Sequence, residues 1–357
     1  MDPSDSTAAY APLDDALERL APCGPDLKHG MTNHAPMAAE ALCALGRPAA
    51  VLPWVERYRA GTLPRPSARE RIDTARWRSA LAREDGFSDW SDLFADELAR
   101  EPWRAVLDRW VARLSPGICA AATHGVIRVG HATRALGQAE SRARLGELAD
   151  ALASWASTYQ ELPSAASDDR HALPARDAIA RVAPVPPDQR RFSGTIVSSL
   201  EGLSAFPEFA PVVGLLDTRG DPFEIVSDLA DVFARVFLAN AHDTLTAIVF
   251  AHGVTSVAAL GNLLPHIDAA TARGALPFAW QSACGLYAAF GRFPARVLPD
   301  ESTCSPEDPT TLVDRALAHG DEHAIKLTEA CLSWNERSPS PDFAAAARRA
   351  LELLPPV

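Results

Sequence analysis

Five histidines and one lysine stand in places where a polar side chain needs a reason. His124 and His131 share THGVIRVGHA (123–132), His34 lies in MTNHAPMAAEAL (31–42), His252 in IVFAHGVTSVAAL (248–260), and His323 and Lys326 in HGDEHAIKLTEACL (319–332). All of these stretches are apolar and patterned as helices. A buried imidazole without a partner costs roughly 1–3 kcal/mol, so each ring needs either a hydrogen-bond acceptor or a metal ion. A satisfied core histidine is the ordinary outcome for any one of them. Of the other five histidines, His29, His171, His266 and His319 fall in polar loops or near helix ends; His242, ten residues before His252, faces another part of the helix surface.

Spacing sorts the candidates. Seven residues bring His131 back to within ~20° of His124 but ~10.5 Å further along the axis, so the two share a face and not a turn. Two ligands to one metal from one helix usually come three or four residues apart. His124 is therefore the candidate ligand, with His131 behind it or lining a substrate pocket. Arg128, four residues after His124, is on the same side of that helix. His323 and Lys326 share a face at a spacing of three. A lysine ammonium has three donors and no lone pair, so beside a metal it must be displaced, deprotonated or converted by carbon dioxide to a carbamate with oxygen ligands. The alternative for Lys326 is a surface ion pair with Glu322 or Glu329.

The elements that must position these residues are helices. APMAAEALCAL (35–45), WRAVLDRWVARL (103–114), RLGELADALASWASTY (144–159), a long run over 228–264 and DFAAAARRALELL (342–354) repeat apolar residues at three and four. Thr32 or Asn33 caps the helix after His34, and Gly320 with Asp321 marks the start of another. Period-two strand patterns are scarce. The 29 prolines punctuate the chain, and VLPWVERYRAGTLPRPS (51–67), PVPPDQRRFSG (184–194) and RVLPDESTCSPEDPT (296–310) read as loops. No fixed-period repeat is present, so an all-α, multi-helix, bundle-like globular fold with Pro-rich loops is expected. It divides into an N-terminal segment (1–24), a main helical domain (25–340) with a subdivision near 161–194, and a C-terminal helix (341–357).

The bulk numbers narrow the partners. With 47% hydrophobic and 22% charged residues the chain reads as an ordinary globular protein, and no uninterrupted apolar run is expected to reach the ~20 residues of a membrane span. A formal charge of −12 with scattered arginines argues against nucleic acid. The acidic start, MDPSDSTAAYAPLDDALERL, lacks the pattern of a secretory signal, so a cytoplasmic location is expected. The six cysteines are widely spaced without a CxxC pair, which fits neither a zinc cluster nor a disulfide framework.

Taken in order, TNHAPMAAEAL, AATHGVIRVGHATRAL, FAHGVTSVAALGNLLPH and GDEHAIKLTEACL resemble the questin oxidase-like family, with VLPWVERYR and WASTYQELP between them. The similarity runs from about residue 25 to 335. The resemblance implies an all-helical oxidoreductase that acts on aromatic, anthraquinone-like polyketides by oxygen insertion or oxidative ring opening. It also implies a mononuclear non-heme iron centre in which His34, His124, His252 and His323 are the imidazole ligands and Lys326 is a carbamate ligand. Partners are then a small phenolic substrate and O2, with His131 or Arg128 steering a substrate oxygen or proton. An NADPH-dependent, Baeyer–Villiger-like route is also described for the family, but no GxGxxG follows a strand here to support a nicotinamide site. The reading from another class is a non-catalytic helical binding protein whose histidines are satisfied core residues.

Overall fold

Apolar side chains at helical spacing produce thirteen α-helices of eight or more residues among the residues that the computed structural model describes, 8–165, 172–297 and 307–357. In chain order they are α1 (Leu13–Leu20), α2 (Ala35–Ala44), α3 (Pro48–Arg59), α4 (Phe87–Leu98), α5 (Trp103–Leu114), α6 (His124–Gln138) and α7 (Arg142–Ser157). After a stretch of short helical turns come α8 (Pro222–Asn240), α9 (Thr244–Leu263), α10 (Ala269–Phe290), α11 (Pro309–His319), α12 (Glu322–Arg337) and α13 (Pro341–Leu353). The one sheet among the described residues is a two-stranded antiparallel ribbon of β1 (Cys23–Leu27) and β2 (Thr62–Pro64). The all-α expectation holds.

Four of these helices form the centre, and their contacts fix their directions. His124 meets His252 while Gly130, six residues on, lies against Ala259. His34 stacks near His124 while Glu40 bonds His131, and His323 lies near His34 while Glu329 pairs with Arg134, which also holds Glu40. Hence α2, α6, α9 and α12 run parallel. Gly130 permits the close approach of α6 to α9: a Cβ there would stand 2.6 Å from that of Ala259. Trp90, Trp110, Trp155, Trp280 and Trp334 fill the space around the centre and are fully buried.

Several expectations need correcting. The run 228–264 is two helices, broken between Asn240 and Thr244 because Asp243 caps α9: its carboxylate accepts the Thr246 N–H while the Thr246 hydroxyl accepts the Asp243 N–H. Residues 51–59 of the supposed Pro-rich loop belong to α3, with exposed Pro53 inside that helix and Trp54 and Val55 buried beside it. Packing there outweighs the one hydrogen bond that proline forfeits. The cap of α2 is His34 itself, with the Asn33 side chain accepting the Ala35 N–H. One helix, Thr244–His266, is long and apolar enough by composition to cross a membrane, although it lies mostly buried in the protein's own centre. From the proposed subdivision, Leu162, Val182 and Val185 are buried in the same core as α6 and α9, and the described part of the 1–24 segment buries Tyr10, Leu13 and Leu17. His171, Cys304 and most of the 296–310 loop lie outside the described residues.

Candidate metal centre

The site is built where α2, α6 and α12 begin. His34 is the N-cap of α2, His124 the first residue of α6, and His323 the second residue of α12, while His252 enters from the third turn of α9. Gly320, at φ +79°, closes α11, and the Asp321 side chain accepts the His323 and Ala324 N–H groups, so α12 starts where the sequence indicated. Three helix N-termini therefore face the site. Their dipoles favour neutral imidazole and anionic ligands there.

Before His124 the chain makes a left-handed turn. Ala121, Ala122 and Thr123 have φ of 47°, 56° and 75°, a conformation that costs an L-residue about 1–2 kcal/mol each. The turn aims the Ala121 carbonyl back at the ring of His124, whose Nδ1–H it accepts. His252 is held in the same tautomer, donating Nδ1–H to the Ile248 carbonyl at 2.7 Å. Both rings then present bare Nε2 lone pairs, and those two nitrogens face each other at 3.0 Å.

The other candidates close the cluster. Ring centroids of His34 lie 4.5 Å from His124 and 4.7 Å from His323, and His252 lies 5.4 Å from His323. Ligand atoms of His34, His124 and His323 fall within 4.8 Å of one another. Lys326 is 2% exposed, and its Nζ stands 3.4 Å from His34 Nδ1. His34 Nε2 and both nitrogens of His323 are buried without a hydrogen-bond partner.

Electrostatics keep three of the imidazoles, His34, His124 and His252, neutral. Burial pushes the His124 imidazole down to about 3, with the Lys326 charge adding to the effect. Burial and then Lys326 hold His34 well below the ordinary range; burial and then His124 do the same for His252. Burial also lowers the Lys326 ammonium to about 8, against the opposing pull of Glu322 and Asp321. A lysine so placed spends part of its time as the free amine near pH 8.

The donor set fits a transition metal. Two lone pairs facing at 3.0 Å repel unless a cation lies between them, and two nitrogens each about 2.1 Å from one ion at a right angle stand about 3.0 Å apart. The orphaned nitrogens of His34 and His323 point to the same missing partner. Imidazole-rich sites suit iron, zinc, copper or nickel.

A model of the questin oxidase-like proteins matches residues 31–331, which contain all five clustered side chains. The chain belongs to the questin oxidase-like family. Membership implies an oxidase or oxygenase. No curated protein matches the chain.

Of the residues singled out by sequence, the structure brings together His34, His124, His252, His323 and Lys326. It engages the other two elsewhere. His131 Nδ1 lies 2.6 Å from Glu40, and Arg128 holds Glu147 through Nε at 2.6 Å and Nη2 at 2.8 Å. Sequence reasoning missed Glu40, Arg134 and Glu329, whose buried ion pairs tie α2, α6 and α12 together. The available signal was Glu40 itself, the sole charge in APMAAEALCAL.

Proposed function

We propose that the chain is a mononuclear non-heme iron oxygenase that acts on a neutral phenolic aromatic substrate, with anthraquinone-like polyketides as the leading class. The observation that carries this reading is the Nε2–Nε2 approach of His124 and His252, with both Nδ1 atoms committed to backbone carbonyls. His34, His124, His252 and His323 would hold the metal, and Lys326 would complete the set as a carbamate. Formation of the carbamate needs the free amine: the Lys326 Nζ lone pair bonds to the carbon of CO2, and one proton leaves. Bound there, iron supplies the one-electron chemistry that lets ground-state dioxygen react with a closed-shell ring.

The residues around the centre do the positioning. The Ala121 and Ile248 carbonyls keep Nε2 of their histidines bare. A cleft of about 420 Å³ runs past Thr32, Ala121, Ser154, Thr158, Tyr159 and Gln160, next to the turn that holds His124. Its lining also includes Asp26, Glu84 and Glu201 and, among the described residues, no lysine or arginine. That chemistry suits a hydroxylated neutral ring and disfavours a carboxylate or phosphate. In this reading His131 and Arg128, each bound to a carboxylate, steady α6.

Protein produced with Fe(II) and handled anaerobically should carry one iron per chain, and His252→Ala should carry none. Oxygen uptake should then follow addition of a hydroxyanthraquinone and depend on both iron and Lys326. Absence of stoichiometric metal from wild-type protein would sink the proposal.

A further inference from the structure

A histidine that binds a metal through one ring nitrogen needs the other held, because the outer partner fixes both tautomer and orientation. Two of the four rings have such a partner in the backbone, Ala121 for His124 and Ile248 for His252. His34 and His323 have no backbone acceptor among the described residues, and neither is preceded by a left-handed turn like the one that aims the Ala121 carbonyl at His124.

One carboxylate stands near both. Glu322 Oε1 is 3.5 Å from His34 Nδ1 and 3.9 Å from His323 Nδ1, and these imidazoles are its only ion-pair partners among the described residues. The neighbouring Asp321 Oδ1 is nearer to His323 Nδ1, at 3.7 Å, while it also accepts two backbone N–H groups as the cap of α12, so it shares His323 with Glu322. Glu322 is the first residue of that helix, so its backbone is fixed and its negative charge sits at the favourable end of the dipole. Its side chain is 18% exposed, so the carboxylate lies at the edge of the buried cluster.

We infer that Glu322 is a positioning residue, the outer acceptor for the Nδ1–H group of His34 and, together with Asp321, for that of His323. The inference rests on the metal-centre reading above. With it, all four rings use one scheme: Nδ1–H is donated outward and Nε2 is turned inward. This accounts for His34 Nε2 being the buried nitrogen without a partner, and it gives Lys326 a competitor for His34 Nδ1, since an ammonium there would demand the opposite tautomer.

The test uses full-length protein loaded with Co(II), in which the exchangeable N–H protons of ligand imidazoles give shifted proton resonances. Wild type should bind one Co(II) and show four such signals. Glu322→Ala should lose affinity by about 10–100-fold, measured by chelator competition, and two of the four signals should exchange with water faster while the other two stay unchanged. Glu322→Gln, which keeps an acceptor oxygen, should recover part of the affinity and slow the exchange again. A Glu322→Ala protein with wild-type affinity and four unchanged signals would overturn the inference and leave the metal centre standing. Wild type that binds no Co(II) or Fe(II) would overturn the centre itself. Should the alanine variant fail to fold, Glu322→Gln read against wild type decides by the same two measurements.

Discussion

The parallel helices α2, α6 and α12 carry two polar layers, and the layers are opposites. At the helix starts lie His34, His124 and His323, with three unpartnered buried nitrogens on His34 and His323. Six to ten residues further on, roughly 9–15 Å along the axes, lie Glu40, His131, Arg134 and Glu329. There Glu40 accepts from Tyr10, from His131 and from Arg134, and Arg134 also reaches Glu329. Burial alone would raise the Glu40 carboxyl, but Arg134 and His131 outweigh it and bring it down to about 2. Polar groups buried among partners hold helices together; polar groups buried without them await something from outside. The contrast separates scaffold from site.

The largest effect should come from breaking the paired layer. Arg134→Met leaves Glu40 and Glu329 buried without their guanidinium and should cost about 3–5 kcal/mol, read as a fall in the urea midpoint of metal-free protein. Acid comes next. Glu40 titrates near 4.5 in an unfolded chain and at about 2 in the fold, so its stabilisation is complete above pH 4.5 and disappears as the pH falls toward 2. That amounts to about 3 kcal/mol. Wild type should therefore lose this much more stability than Glu40→Gln between pH 5 and pH 2.

The smallest effect belongs to the other layer. His252→Leu removes one of two repelling lone pairs and should leave metal-free protein as stable as wild type, or up to about 1 kcal/mol more stable. A loss above 2 kcal/mol would make the imidazoles part of the scaffold and erase the distinction.

The five clustered residues were legible because a polar residue inside an apolar helical pattern violates that pattern. Glu40, Arg134 and Glu329 were harder to see, since charges on helices usually face water, and only the meeting of three distant helices shows that these do not. The break at Asp243 was hidden by apolar continuity on both sides, although Asp243 and Thr246 have capping-box spacing. The left-handed turn at 121–123 had no readable signal at all: Ala-Ala-Thr contains no glycine, and tertiary packing imposes the conformation. His131 and Arg128 lie on the helix of His124, but their partners come from α2 and α7, which one-dimensional spacing cannot supply.

The parallel arrangement of the four central helices also bears on how the protein acquires its site. His124 and His252 are 128 residues apart, and His34 and Lys326 are 292 apart, so no two of the clustered contacts can form within a local hairpin. Every such closure is long-range and comes late in folding. A metal ion bound as proposed would not template this chain from an early fragment, as it does a zinc finger; the four histidines and Lys326 meet only once most of the polypeptide is in place.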